Sequence, residues 1–301
     1  MSETKNQITQ RKINTEIIEG VILALGLVLI SISRIYSFLL FHSVAEIFSI
    51  VIMGGVFLVG WNSRKYMKSS FFLLLGVSSV FIASIDLIHT LAYKDMNIFL
   101  EFDANLPTAL WIAARYLQSG SFLLASLLIK RTIKPLYLGI LYLTVVLFLF
   151  ISIFSGFFPT CYVAAEERLT PFKIISEYII NLILIASLIV IIKFRAEFDK
   201  RVLSLIMCSI LSTIVSELAF TFYFGVEDIP IFIGHIIKII AFYFLYKAII
   251  QIGIEDPFNL LFRKISRSES ELRNIIKYTG AGITMLSEEG NYLLVNEKAA
   301  A

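Results

Sequence analysis

The three histidines of the chain lie in apolar segments, and two of them are accompanied by a carboxylate one helical turn away. His42 and Glu46 are four residues apart, and Asp86 and His89 are three apart, so each pair shares one face of a helix. Imidazole and carboxylate groups together are ligands for zinc, iron or manganese. Polar groups inside a membrane are costly, which marks them as functional candidates. The predicted metal ligands are His42, Glu46, Asp86, His89, Glu217 and His235.

Further polar side chains occupy the same apolar segments and predict a cofactor-binding or ligand-binding surface: Trp111, Arg115, Tyr116, Glu177 and Lys238. Three interpretations remain open for this set. It forms a transition-metal site, in which Asp-x-x-His repeats the spacing found in di-metal helix bundles. Alternatively, it forms a pocket for a small molecule, a proton or a quinone, with Arg115 or Lys238 holding an anion. In the third interpretation the residues are buried ion pairs that only fix the register of the helices.

The elements that must position these residues are membrane-spanning helices. Of the 301 residues 58% are hydrophobic, and the mean hydropathy is +0.84, whereas soluble domains are roughly 45–50% apolar. A span needs about 20 apolar residues, and eight runs qualify: 17–36, 38–60, 70–92, 107–129, 135–157, 172–193, 202–224 and 229–251. The sequence therefore predicts an all-α integral membrane protein, a bundle of eight transmembrane helices followed by a cytoplasmic C-terminal connector helix.

The distribution of lysine and arginine predicts the orientation of the bundle. With the N-terminus inside, the inner segments hold thirteen basic residues and the outer segments hold four, namely Arg34, Lys94, Arg168 and Lys173. Basic residues favour the cytoplasmic side, so both ends are predicted to be cytoplasmic in a multi-pass protein of the cell membrane. In this orientation all the histidines and their carboxylates lie in the outer half of the membrane, roughly 6–14 Å below its surface.

Four regions follow along the chain: a cytoplasmic tail at 1–16, the membrane domain at 17–252, an amphipathic signalling helix at 253–279, and a short segment at 280–301. In the third region a coiled-coil seam with 4-3-4 spacing runs through Leu261, Ile265, Ser268, Leu272, Ile275 and Thr279. Such a seam predicts a homodimer, although a surface helix lying on the membrane is the alternative. GITMLS and YLLV in the last region predict two strands, and two strands alone are too few for a domain.

The segments HSVAEIF, SIDLIHTLAYKDM, PTALWIAARYLQSGSFLLAS, SELAFTFY and GHIIKIIAFYFLYKAII resemble the membrane-associated sensor domain called MASE3 over residues 15–255. That family stands at the N-termini of prokaryotic histidine kinases and cyclic-dinucleotide enzymes, and its eight-helix arrangement agrees with the predicted topology. The segment from Glu271 to Ala300 looks like the opening of a PAS domain. The resemblance implies sensing and a two-component or cyclase output domain downstream, and it assigns no ligand.

The expected function is therefore a sensory input module that detects a ligand, a metal or a redox signal and passes it through the last helix to a PAS domain. The chain is not expected to be an enzyme itself, because it has no phosphate-binding loop and no histidine in its tail to accept a phosphoryl group. The main alternative is an intramembrane metal-dependent hydrolase, and a transporter is a second. Membrane lipid and a second copy are the expected partners, and the net charge of +3 argues against nucleic acid.

Overall fold

The computed structural model describes residues 2–65, 70–166, 168–221, 229–295 and 297–300. Helices dominate this part of the chain: α1 (Ser2–Tyr36), α2 (Phe38–Ser63), α3 (Ser70–Leu91), α4 (Asn105–Leu127), α5 (Pro135–Phe154), α6 (Pro171–Lys193), α7 (Lys200–Thr221), α8 (Ile229–Ile250), α9 (Asp256–Tyr278) and α10 (Glu297–Ala300). A π-helical turn, Gln251–Glu255, lies between α8 and α9. Two small hairpins complete the fold: β1 (Tyr162–Val163) with β2 (Arg168–Leu169), and β3 (Thr284–Leu286) with β4 (Tyr292–Val295).

The all-α membrane class is confirmed, and seven helices in the described ranges are long and apolar enough to cross a membrane. The eighth predicted span corresponds to α4, which has 23 residues and is long enough at about 34 Å. It is not among the seven, because Arg115, Gln118 and several serines lower its hydropathy. The end of the seventh predicted span, 222–224, lies outside the described residues.

Six helices form a closed ring. In the order α2, α3, α4, α6, α7 and α8, each helix packs against the next, and α8 returns to α2. Helix α1 packs outside this ring on α2, and α5 packs outside it on α3 and α4. The ring encloses the polar side chains, whereas the outer faces of α1 and α5 expose apolar residues such as Leu29 and Phe148, as expected for surfaces in lipid.

Small residues and interhelical hydrogen bonds bring the ring helices close together. A Cβ atom on Gly60 of α2 would lie 3.0 Å from the Cα atom of Gly76 on α3, so the two backbones touch at this crossing. On α7, Ser209 donates to the carbonyl of Ala241 and Ser216 to that of Gly234, both over 2.8 Å. Close backbone approach and hydroxyl bonds of this kind hold helices together in lipid, where the hydrophobic effect contributes little.

The β1–β2 hairpin marks one end of the ring, which we call the hairpin end. Asn105, the first residue of α4, accepts hydrogen bonds through Oδ1 from the N–H groups of Cys161 and Tyr162, over 2.7 and 3.0 Å. The connection 92–104 lies at the same end. It turns through Asp95 and Asn97, whose positive φ angles of 71° and 56° suit these residue types.

The chain divides into two compact units, Met1–Gly253 and Ile254–Ala301. The second unit contains α9, the β3–β4 hairpin and α10. Its two strands are those predicted from GITMLS and YLLV, and they pair antiparallel with an irregularity between Met285 and Leu286. Ile265, Leu272 and Ile275 of the predicted seam are exposed on α9.

Candidate functional site

Every helix of the ring contributes a buried polar side chain to one cluster at the hairpin end. Ten of these side chains are at most 5% exposed. They are His42 and Glu46 on α2, Asp86 and His89 on α3, Arg115 on α4, Lys173 and Glu177 on α6, Glu217 on α7, and His235 and Lys238 on α8. The helical spacings noted in the sequence explain the pairs, because residues three or four apart turn the same face inward.

The three histidines converge at the hairpin end of this cluster, and we call them the histidine triad. The Nε2 atoms of His42 and His89 lie 3.3 Å apart. The ring centroids of His42 and His235 are separated by 4.9 Å, and those of His42 and His89 by 5.3 Å. Tyr93 stacks on His42 at 3.7 Å between ring centroids, with planes inclined by 22°. Three helices therefore bring three imidazoles together, and the ring of Tyr93 covers that of His42.

Two of the three imidazoles are oriented through their Nδ1 atoms. His89 Nδ1 lies 2.8 Å from the carbonyl oxygen of Pro107. A carbonyl only accepts, so His89 carries a proton on Nδ1, and its neutral ring has a lone pair on Nε2. His235 Nδ1 lies 2.9 Å from Glu46 Oε1, a distance at which the two groups attract each other, although their geometry in the described structure is not that of a hydrogen bond. Metal-binding histidines are typically held in this way, with the other ring nitrogen against a carbonyl or a carboxylate.

Glu46 and Asp86 are paired with cations. Lys238 Nζ donates to both oxygens of Glu46 over 2.7 and 2.9 Å and lies 3.2 Å from Asp86 Oδ2. Arg115 donates to both oxygens of Asp86 over 2.6 and 2.7 Å and also to Gln118. These ion pairs connect α2, α3, α4 and α8 in one network. In this network the Asp86 carboxylate faces Arg115 and Lys238.

Trp111 lies between the two cations of this network. The Arg115 guanidinium carbon and the Lys238 Nζ each lie 4.7 Å from the centre of its indole ring. The ring also contacts His89, His235 and Phe220. Its indole N–H is buried and has no hydrogen-bond acceptor among the described residues, an arrangement that costs free energy when no other group satisfies the donor.

A second ion pair joins the cluster from α6. Lys173 Nζ lies 2.5 Å from Glu177 Oε1 and donates to the carbonyl of Phe220 over 2.6 Å. Glu217 forms no ion pair within 4 Å in the described ranges, and its Oε2 atom is buried without a hydrogen-bond donor. Arg115 is its strongest attractive neighbour. Four buried carboxylates therefore face three buried cations, which leaves one negative charge if all four carboxylates are ionised and the histidines are neutral.

Two cavities open beside the triad. The inner cavity has a volume of about 60 Å³ and is bounded by all three histidines together with Trp111, Lys173 and Phe220. The outer cavity, with a volume of about 410 Å³, lies within the 92–104 connection and the β1–β2 hairpin. Tyr93, Lys94 and Ala104 line both cavities, so the two adjoin.

The structure brings together most of the residues selected from the sequence, but in different roles. His42, Glu46 and His235 offer ligand atoms that all lie within 4.8 Å of one another, the one such group in the described ranges, and His89 contacts His42. Asp86 and Glu217 belong to the ion-pair region, as do Arg115, Lys238 and Glu177. Tyr116 packs half-buried against the apolar core, and no contact of its ring with the cluster is found in the described part of the chain.

Sequence reasoning overlooked two members of the site. Lys173 is predicted from the sequence to lie in an outer segment. In the structure its side chain is 1% exposed and forms an ion pair with Glu177 inside the ring. Its spacing of four residues from Glu177 on one helix was the available signal. Tyr93 follows the end of α3, and only the three-dimensional structure shows that it stacks on His42.

Comparison with known proteins gives one match. Residues 32–257 match the family model MASE3, described as a membrane-associated sensor domain. No curated protein and no solved structure matches the chain. The matched range covers helices α2–α8, which include all six ring helices, and every residue of the buried cluster. The chain therefore belongs to the MASE3 family of membrane-associated sensor domains.

Proposed function

We propose that this membrane sensor domain receives its signal at the histidine triad, by binding a transition-metal ion. The observation that carries the proposal is the convergence of three imidazoles, of which His89 is fixed by a hydrogen bond from Nδ1 to the Pro107 carbonyl and His235 lies with Nδ1 against Glu46. The opposite ring nitrogen, Nε2, is the atom that His89 and His235 would offer to a metal ion. His42 Nε2 and His89 Nε2 lie within hydrogen-bond distance of each other, so the ion would take the place of the proton between them.

The spacing of the imidazoles supports a metal. Zinc–nitrogen bonds are about 2.0–2.1 Å long in tetrahedral sites, which places neighbouring ligand nitrogens roughly 3.3–3.4 Å apart. His42 Nε2 and His89 Nε2 are separated by 3.3 Å. His42, His89 and His235 would hold the ion, and Glu46 would orient His235 from behind. Zinc, iron or manganese suits an imidazole set with carboxylate support, and the ion would supply positive charge to a region that otherwise carries one excess negative charge.

Lys238 offers a route from the metal to the last membrane helix. Its ammonium group lies on α8 and shares Glu46 and Asp86. A cation bound at the triad would weaken the attraction of Glu46 for Lys238, since both positive charges compete for one carboxylate. The ion pair between Lys238 and Asp86 would then become stronger, and the movement of Lys238 would shift α8. We propose that the signal continues along the chain into α9, and from there to a PAS domain and a histidine kinase or cyclase, with both chain ends in the cytoplasm.

An intramembrane hydrolase is the alternative suggested by three histidines and a carboxylate. Two observations disfavour it. Asp86, its candidate catalytic acid, is held by Arg115 and Lys238. The cavity beside the triad measures about 60 Å³, whereas pockets for organic ligands usually measure about 300–1,000 Å³. Turnover of a membrane peptide by the purified chain would support the hydrolase instead.

Disulfide cross-linking through α9 tests the proposal. Leu272→Cys or Ile265→Cys in lipid vesicles should form a covalent dimer, at a rate that differs between Zn²⁺-loaded and chelator-treated protein. His235→Ala should remove the effect of the metal, whereas Tyr142→Phe should retain it, because Tyr142 is a buried residue of α5 that bonds to Ser121 away from the triad. A rate that is the same with and without metal would contradict signal transmission. Absence of any dimer from Leu261, Ile265 or Leu272 would contradict the coiled coil.

A further inference from the structure

The described lining of the inner cavity contains hydrogen-bond donors and cationic side chains. It contains no acidic side chain. The lining includes the histidine triad, Trp111, Lys94 and Lys173. No aspartate or glutamate belongs to the lining in the described part of the chain, although four buried carboxylates lie in the same cluster. Those carboxylates are directed elsewhere, Glu46 to Lys238, Asp86 to Arg115 and Glu177 to Lys173. Among the described lining residues, an occupant of this cavity therefore finds no negative side chain that would repel an anion.

From this arrangement we infer that the cavity is a binding site for a small monovalent anion, which completes the coordination of the triad-bound metal. The inference rests on the proposed function. A site with three protein ligands leaves a fourth tetrahedral position open. Its occupant must come from outside the chain, because the carboxylates nearest to the triad are already paired.

The charges of the cluster agree with an anion. With all four carboxylates ionised, the four carboxylates and three cations leave one negative charge, and a divalent metal changes this to one positive charge. One monovalent anion restores neutrality, which matters in a buried site where uncompensated charge is costly. Trp111 lines the cavity, and its indole N–H, which finds no acceptor in the described part of the chain, would supply a hydrogen bond to such an anion.

The size of the cavity limits the anion to a few atoms. A volume of about 60 Å³ is less than half of the roughly 150 Å³ of a protein cavity that holds benzene. Formate, azide, nitrite and hydrogencarbonate, with three or four heavy atoms, have suitable dimensions, whereas amino acids and quinones do not. The outer cavity of about 410 Å³ adjoins the inner one at Lys94, where an ammonium group attracts anions towards the triad.

The test uses the purified chain loaded with Co²⁺, whose visible absorption reports its ligands. Formate and azide are titrated separately in sulfate buffer, and the bound Co²⁺ is measured by mass spectrometry. We expect a saturable spectral change with each anion. Trp111→Phe should weaken anion affinity about tenfold through loss of one hydrogen bond to a charged group, with the Co²⁺ content unchanged. Trp61→Phe, which changes the other tryptophan of the chain, should leave the affinity unaltered.

The two proposals fail in different ways. If Co²⁺ does not bind, the metal-sensing function is wrong. If Co²⁺ binds through the triad but neither anion alters its spectrum, or if Trp111→Phe binds them as tightly as the unaltered chain, the anion site is wrong. Should Trp111→Phe not fold, Lys94→Gln tests the same site from an exposed position. It should weaken binding severalfold at low salt, and unchanged affinity would overturn the inference.

Discussion

At the scale of single residues, the site is defined by which cation pairs with which carboxylate. Asp86 accepts from Arg115 and also contacts Lys238, whereas Glu46 is shared by Lys238 and His235. These groups are almost inaccessible, so each depends on its partner for compensation. Removing one partner of a buried pair is far more costly than replacing both by apolar groups.

Arg115→Met should therefore destabilise the chain by about 3–5 kcal/mol, because Asp86 retains only the more distant Lys238. The free energy of unfolding can be measured by titrating the protein with denaturing detergent. Arg168→Met is the matched control, since Arg168 pairs with Glu166 on the exposed hairpin, where loss of an ion pair changes stability by less than about 1 kcal/mol. Equal effects of the two substitutions would show that the buried pair does not stabilise the fold.

The positions of the site residues could be predicted from helical spacing, but their partners could not. Trp111 and Arg115, four residues apart on α4, both face the cluster, whereas Tyr116 lies one residue and about 100° further round the helix and packs in the apolar core. Pairings between helices depend on the rotation of each helix in the ring. A hydropathy pattern does not fix that rotation when both faces of a helix are apolar.

At the scale of elements, the ring closes because its helices approach at small residues. The contact between Gly60 and Gly76 fixes where α2 crosses α3, and these two helices carry His42, Glu46, Asp86 and His89 at the other end. Most of the predicted runs begin and end close to the limits of a helix in the described ranges. The exceptions are the first run, since α1 begins at Ser2, and α4, which is too polar to qualify by hydropathy. The point at which α2 crosses α3 could not be predicted from the sequence. Glycines occur in α2 both at open positions, such as Gly54, and at the backbone contact of Gly60.

Gly60→Ala tests the crossing against Gly54→Ala in the same helix. A Cβ atom on Gly60 meets backbone at 3.0 Å, whereas one on Gly54 meets nothing within 4 Å. Gly60→Ala should destabilise the protein by about 1–3 kcal/mol, as overpacking does, and Gly54→Ala should cause no loss. The midpoint of thermal unfolding in detergent provides the measurement. If Gly60→Ala unfolds at the same temperature as Gly54→Ala, the helices are not held by this contact.

At the scale of the whole molecule, a polar interior is surrounded by an apolar exterior. The ring places a histidine triad, an ion-pair network and two adjoining cavities at its hairpin end. Residues on the outer surface, such as Ile22 and Leu29, remain exposed and apolar. This arrangement suits a membrane-associated sensor domain.

Cysteine labelling tests the predicted orientation. Leu100→Cys, in an exposed connection at the hairpin end, should react with a membrane-impermeant maleimide added outside, and Ala196→Cys should react only after the membrane is opened. Native Cys161 provides an internal control. Burial raises the pKa of its thiol to about 12, so at pH 8 it remains protonated and should label slowly until the protein is unfolded. External labelling of Ala196→Cys would reverse the topology.

The central claim is that the histidine triad binds a metal ion, and elemental analysis of the purified chain tests it most directly. Protein isolated from cells supplied with zinc, iron and manganese should contain about one transition-metal ion per chain, as a single tetrahedral site holds. His89→Ala and His235→Ala should each remove the metal while Tyr142→Phe retains it, with all three variants recovered as folded protein. A chain that contains no metal, or that keeps its full metal content in both histidine variants, would contradict the account.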